Sequence, residues 1–181
     1  MLEQIKIDFD KSIKNLNLTD KKLELRKKNL KSFIEKGFPN RRVEEWKFSD
    51  LNQIISSNIK ELSFFNKVTE QSNFDQSIIV KNFDHNKIIF INGLLSKTDF
   101  EYEEKNNIEI TENDDLELIE DTKNSLIHLN GAFRNSYLKI IIKKGYLLKK
   151  PLIIYHINND KISQKAINQK IDFVLENDSS L

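Results

Sequence analysis

One segment constrains this chain more than any other: Gly37-Phe38-Pro39-Asn40-Arg41-Arg42-Val43-Glu44-Glu45-Trp46-Lys47-Phe48-Ser49-Asp50-Leu51. Gly tolerates a left-handed cap, and a Pro two residues later cannot continue the helical ladder. A helix must therefore stop at Gly37. Arg41 and Arg42 stand at short spacing from Glu44 and Glu45, so the two pairs are expected to face each other. Trp46, the only tryptophan, supplies a large amphipathic anchor. The segment reads as a fixed corner between two pieces of structure. Exposed ion pairs contribute only ~0–1 kcal/mol each, so the charges suit an interface or a positional role beside Trp46 better than a purely stabilising one.

The residues before this corner carry a helical period. Leu2, Ile5 and Phe9 form an apolar stripe that Ile13 and Leu16 continue. Thr19 is a good N-cap, and Asp20 suits the positive end of the helix it opens. Leu23, Leu30, Phe33 and Ile34 then recur near heptad spacing, with Lys and Glu between them, which predicts an amphipathic helix with one buried stripe. Ser49 is placed to cap a further short helix through Leu51, Ile54 and Ile55. Residues 56–77 are polar and poorly periodic, with Phe64, Phe65 and Phe74 as candidate anchors.

Beyond residue 77 the pattern changes to strands. Ile78-Ile79-Val80 and Lys87-Ile88-Ile89-Phe90-Ile91 are strand-like. Asn92-Gly93 follows at once and predicts a hairpin, because both residues accept positive φ. Ile108-Glu109-Ile110 is a weaker strand, Glu112 to Asp121 is acidic and ambiguous, and Ser125 to Phe133 reads as a short helix. Tyr137 to Ile142 and Leu152 to Ile157 are strands with turns at Lys143-Lys144-Gly145 and Lys149-Lys150-Pro151. In the last run, from Ala166, the inward candidates are Ile167, Ile171, Phe173 and Leu175. Short strands divided by tight turns suit a sandwich, a barrel or a β-solenoid.

Chemistry is sparse. The chain has no cysteine, so disulfides, thiolate nucleophiles and Cys-ligated metals are excluded. His85, His128 and His156 lie far apart, in a loop, a helix and a strand. The runs Glu103-Glu104 and Asp114-Asp115 lack a calcium-loop pattern and read as solvated acidic loops. No Gly-rich phosphate loop and no nucleophile elbow occurs. Lys143, Lys144, Lys149 and Lys150 with Tyr146 and Tyr155 could line single-stranded nucleic acid, but a lysine-guarded strand edge explains them better. Twenty-nine Lys and Arg against 28 Asp and Glu give a net charge of +1, which opposes a dedicated nucleic-acid binder. No apolar run reaches the ~20 residues of a membrane span, and no secretion signal opens the chain. A soluble cytoplasmic protein is expected.

The corner segment resembles the "G-x-P-x-x-R-x-E-x-W-K-Y-T-x-L" stretch of the SufB/SufD family, scaffold subunits of the SUF iron–sulfur cluster assembly system. Ile89-Phe90-Ile91-Asn92-Gly93 is similar to that family's "V-F-V-N-G" hairpin. Leu129-Asn130-Gly131-Ala132-Phe133, Ile140-Ile141-Ile142-Lys143-Lys144-Gly145 and Lys150-Pro151-Leu152 resemble its "L-N-x-A-F … I-x-V-P-K-G … x-K-P-I" run. The Arg-Glu-Trp-Lys segment favours the SufD branch over SufB. Lys143 stands where the family often has Pro, and Phe48-Ser49 replaces Tyr-Thr.

The resemblance implies an α+β fold: an N-terminal helical subdomain, then β-strands leading into the first rungs of a right-handed parallel β-helix. The implied organisation is a helical region over 1–77, a mixed α/β cap with the Asn-Gly hairpin over 78–135, and the start of a truncated β-helix over 136–181. The family is roughly twice as long, so the chain is expected to be its N-terminal portion. The implied role is a non-catalytic scaffold, with a SufB-like paralogue and a SufC-like ATPase as partners, the latter through a C-terminal region absent from this sequence. No catalytic, cofactor-binding or metal-ligating residue is carried over. No cofactor is expected in this segment; in the full complex the cluster is handled jointly and ATP sits on the ATPase. Neither membrane nor nucleic acid is implied as a partner. The alternative is a β-solenoid enzyme or a sugar- or nucleic-acid-binding module. It lacks both a strict hexapeptide repeat and paired carboxylates on neighbouring strands.

Overall fold

The computed structural model describes residues 1–59, 62–64, 74–112, 122, 124–134 and 136–181. The chain divides into two compact units that interleave along the sequence. One comprises Met1–Lys67, Asp115–Asn135 and Ile162–Asn168; the other comprises Val68–Asp114, Ser136–Lys161 and Gln169–Leu181.

The first unit is helical: α1 (Leu2–Lys14), α2 (Asp20–Lys36), α3 (Leu51–Asn58) and α4 (Ser125–Phe133). Thr19 caps α2 as expected, its side chain accepting from the Lys22 amide. Gly37 ends it at φ 71°, ψ −171°, a region essentially reserved for glycine. That turn lets Phe38 fold back onto Phe33, with ring centroids 5.0 Å apart and edge-on. Asp50, not Ser49, caps α3 by accepting from the Gln53 amide at 3.0 Å. The two neighbours are both good cap formers, and composition alone could not choose between them. The core gathers Ile5 and Phe9 of α1, Phe33 of α2, Ile55 of α3 and Leu129, Ala132 and Phe133 of α4, with Phe38 and Phe64. Phe64 is thus an anchor as read from the sequence; Phe65 lies outside the described residues, as do residues 113–121 of the acidic stretch.

Two three-stranded mixed sheets make the second unit. The strands are β1 (Asn86–Ile91), β2 (Leu94–Asp99), β3 (Ile108–Thr111), β4 (Ser136–Ile142), β5 (Leu152–Ile157) and β6 (Gln169–Leu175). One sheet runs β2-β1-β5 and the other β3-β4-β6. In each, the first pair is antiparallel and the second parallel. The Asn92-Gly93 hairpin forms as expected, with φ 52° and 83° at its two residues. Ile78-Ile79-Val80 is not a strand. Gln76–Ile78 is a 3₁₀ turn, because the Asp75 carboxylate takes the Ser77 amide and hydroxyl and offers the backbone a local alternative to a ladder.

Consecutive strands from β4 onward alternate between sheets. β5 therefore lands in parallel on β1, and β6 in parallel on β4. The β4–β6 register pairs Ser136 with Gln169 and Ile142 with Leu175, each partner 33 positions further on. The isolated bridge between Leu147 and Ser180 keeps the same offset. Inside, Ile88 and Phe90 of β1 and Leu138, Ile140 and Ile142 of β4 form the second core. Between β1 and β5, Phe90 stacks on His156 at 5.3 Å and 8°. At the strand ends Asn92 Nδ2 donates to Asn159 Oδ1 at 2.9 Å, while the Asn159 amide donates back to Asn92 Oδ1 at 3.0 Å. Side-chain ladders of this kind stabilise stacked parallel strands.

Candidate interaction surfaces

The corner after α2 does not close on itself. Among the described residues neither Arg41 nor Arg42 pairs with Glu44 or Glu45; Glu44 pairs instead with Lys47 at 2.9 Å. The expected face-to-face arrangement is corrected by local backbone geometry. Val43 is extended, at φ −87° and ψ 124°, so Arg41 and Arg42 stand outside the 3₁₀ turn Glu44–Trp46, and Glu44 meets Lys47, which follows within the same turn. Asn40 accepts the Arg42 amide at 2.9 Å and fixes the entry. Trp46 is half-buried and lies outside the helical core. Phe48 is 88% exposed, with only the Lys47 ammonium over its ring. The corner thus presents an aromatic and two arginines to solvent, residue types enriched at interface hot spots.

The second surface is the outer edge of the two sheets. Residues along one ladder lose cover as the strands advance. Ile88 of β1 is fully buried, and its partner Ile154 of β5 is half-buried. Ile140 of β4 is fully buried, and its partner Phe173 of β6 is half-buried. Ile142 is fully buried, while its partner Leu175 is 48% exposed. Of the inward candidates in the last run, Ile171 and Phe173 pack on the core, while Ile167 and Leu175 do not.

The titratable groups read from the sequence mostly serve the fold. Lys143 pairs with Glu109 at 2.8 Å, Lys149 with Glu104 at 2.8 Å and Lys150 with Asp84 at 3.1 Å, so three of the four lysines of the basic patch already hold carboxylates. Glu104 is exposed, but Glu103 is not the solvated acid expected of that run; it is 8% exposed. It accepts from Asn86 Nδ2 at 2.7 Å, the Tyr146 hydroxyl at 2.8 Å and the amides of Lys149 and Lys150. Burial alone would raise its carboxyl, but these donors outweigh burial and hold it below the usual range.

His85 is buried beside Tyr155, whose hydroxyl stands 2.8 Å from its Nε2. His156 is exposed on β5, and His128 is buried in α4. The Lys36 ammonium can only donate, so it gives a hydrogen bond to His128 Nε2 at 3.4 Å. Nδ1 then carries the proton and donates to Asn29 Oδ1 at 3.2 Å. Burial, and secondarily the Lys36 charge, push the imidazole below its ordinary value. Among the described residues no three His, Asp or Glu side chains converge to hold a metal ion. No described helix is long and apolar enough to cross a membrane.

Sequence reading missed the buried polar groups. Arg26 shares the inward side of α2 with Phe33, and its guanidinium donates to the carbonyls of Ala132 and Arg134 at the C-terminal end of α4. A charge at a core position of a heptad pattern is the only signal the sequence offered.

The arrangement is that of an α+β protein with helical and mixed-sheet units, an exposed corner and a sheet edge whose residues lose cover. The chain is similar to the iron-sulfur cluster assembly protein SufD of Escherichia coli (strain K12), at 25% identity over 131 residues. The match covers 71% of this chain and 30% of that protein's length. No family model matches.

Proposed function

We propose that this chain is the N-terminal portion of a SufD-like, non-catalytic scaffold subunit for iron–sulfur cluster assembly, working in the cytoplasm. The similarity to SufD carries the reading. The constant 33-residue offset of β4 on β6 and of Leu147 on Ser180 supports the finer view that these strands are the first rungs of a right-handed parallel β-helix. A further rung would cover Phe173 and Leu175 as β6 covers Ile140 and Ile142. The absence of cysteine suits a part that positions partners, because cluster ligation relies on thiolates. The partners are a SufB-like paralogue, through the β-helix, and a SufC-like ATPase, through a more C-terminal region.

A pull-down of the full-length polypeptide against purified SufB-like and SufC-like proteins tests the reading. Both should be recovered, and residues 1–181 alone should capture the ATPase poorly. Recovery of neither partner by the full-length polypeptide removes the scaffold role.

A further inference from the structure

The helical unit holds a cavity of about 640 Å³ between the start of α1, the end of α3 and the turn at 163–165. This is within the ~300–1,000 Å³ typical of small-molecule sites. Ile55, Ile59 and Leu62 give it apolar lining, and the one charged side chain among its described lining residues is Lys165. Lys165 is half-buried, and its ammonium makes no ion pair or hydrogen bond among the described residues.

The polar side of this cavity is built, not incidental. Gln164 holds φ 58°, a left-handed conformation unfavourable for a residue with a Cβ. Two backbone hydrogen bonds clamp that turn: the Ser63 amide donates to the Gln164 carbonyl at 2.9 Å, and the Ala166 amide to the Ser63 carbonyl at 2.8 Å. Ser63 is held in turn by the buried Asp8 carboxylate, which accepts its hydroxyl at 3.1 Å, the Phe64 amide at 2.8 Å and Gln4 Nε2 at 2.8 Å. Asp8 spends its oxygens on these donors and does not line the cavity. A half-buried cation on a polar side and an apolar wall of Ile55, Ile59 and Leu62 then define the complementary ligand.

We propose that this cavity binds an aliphatic carboxylate, its head group on the Lys165 ammonium and its chain against Ile55, Ile59 and Leu62. The inference is independent of the scaffold reading and goes beyond it. Decanoate is the probe, below its micelle threshold, titrated into the 181-residue chain by calorimetry and by amide chemical shifts. Decyltrimethylammonium, with the same chain and the opposite head charge, is the control. Decanoate should saturate at one per chain and perturb the amides of Ser63, Gln164 and Lys165. Lys165→Glu should weaken it about tenfold or more, and Lys165→Met by less, since the first substitution reverses the charge and the second only removes it. Both changes lie on a half-exposed side chain and leave the fold intact, which the unperturbed amide spectrum checks. Failure of decanoate to saturate, equal affinity for Lys165→Glu, equally tight binding of the cationic control, or shifts confined to other residues would each overturn the proposal.

Discussion

Arg26 donates from Nη1 to the carbonyl oxygen of Ala132 at 2.9 Å, across 106 positions of sequence. The contact places a buried cation on the negative end of the α4 dipole and satisfies carbonyls that the helix itself leaves unpaired. Replacing Arg26 by Met keeps the length and removes the donors. The loss should be about 2–4 kcal/mol, because buried acceptors are left without partners. Arg26→Lys should recover only part of it, since an ammonium lacks the planar fork that spans two carbonyls. Urea unfolding of the three proteins checks the order, and a Met variant as stable as the parent would contradict the capping role.

His128 makes stability depend on pH. Its pKa is lowered in the folded chain, so the unfolded chain binds the proton more readily. The contribution is fully present above the ordinary imidazole value of ~6.5 and is lost as pH falls below it. His128→Asn should flatten the decline in unfolding midpoint between about pH 7 and 5 relative to the parent. Parallel slopes for the two proteins would show that the Lys36–His128 contact does not titrate with folding.

Glu103 acts in a lower window. Its folded pKa is also depressed, so its stabilisation exists above the ordinary carboxylate value of ~4.3 and disappears as pH drops through the folded value. Glu103→Gln should lower stability at pH 7 by about 1–3 kcal/mol, since one oxygen becomes a donor facing other donors. At strongly acid pH the gap between parent and variant should narrow. A gap that stays constant with pH would locate the effect in packing rather than charge.

Phe48 offers the opposite test. At 88% exposure its ring contributes little to folding. Phe48→Ser should shift the unfolding free energy by no more than about 0.5 kcal/mol. A loss of several times that size would mean the ring is buried in solution.

The local signals that read true were those fixed by backbone chemistry. Thr19, Gly37 and the Asn92-Gly93 pair each have few conformations that satisfy them, and all three landed where expected. Leu30, Phe33 and Ile34 of α2 and Ile171 and Phe173 of β6 followed because burial enforces periodicity. What escaped were choices settled by distant partners. Glu103 looked like its exposed neighbour Glu104 until Asn86 and Tyr146 converged on it. Arg26 looked like one more surface base until α4 supplied its carbonyls. Asp8 was one acid among many, and only the approach of Ser63 and Phe64 made it an anchor. Of the two candidate surfaces, the corner was visible as a motif. An open sheet edge was expected too, but which of its residues lose cover was not legible, because solvent exposure along a ladder depends on which strand comes next.

The shared spacing of β4 on β6 and of Leu147 on Ser180 restricts how this part of the chain can change length. One residue added to the turn Lys143–Tyr146 would carry Leu147 out of step with Ser180. A matching residue between Glu176 and Ser179 would restore the alignment. Insertions and deletions here should therefore be tolerated in tandem and rejected singly, so that two distant turns evolve as one.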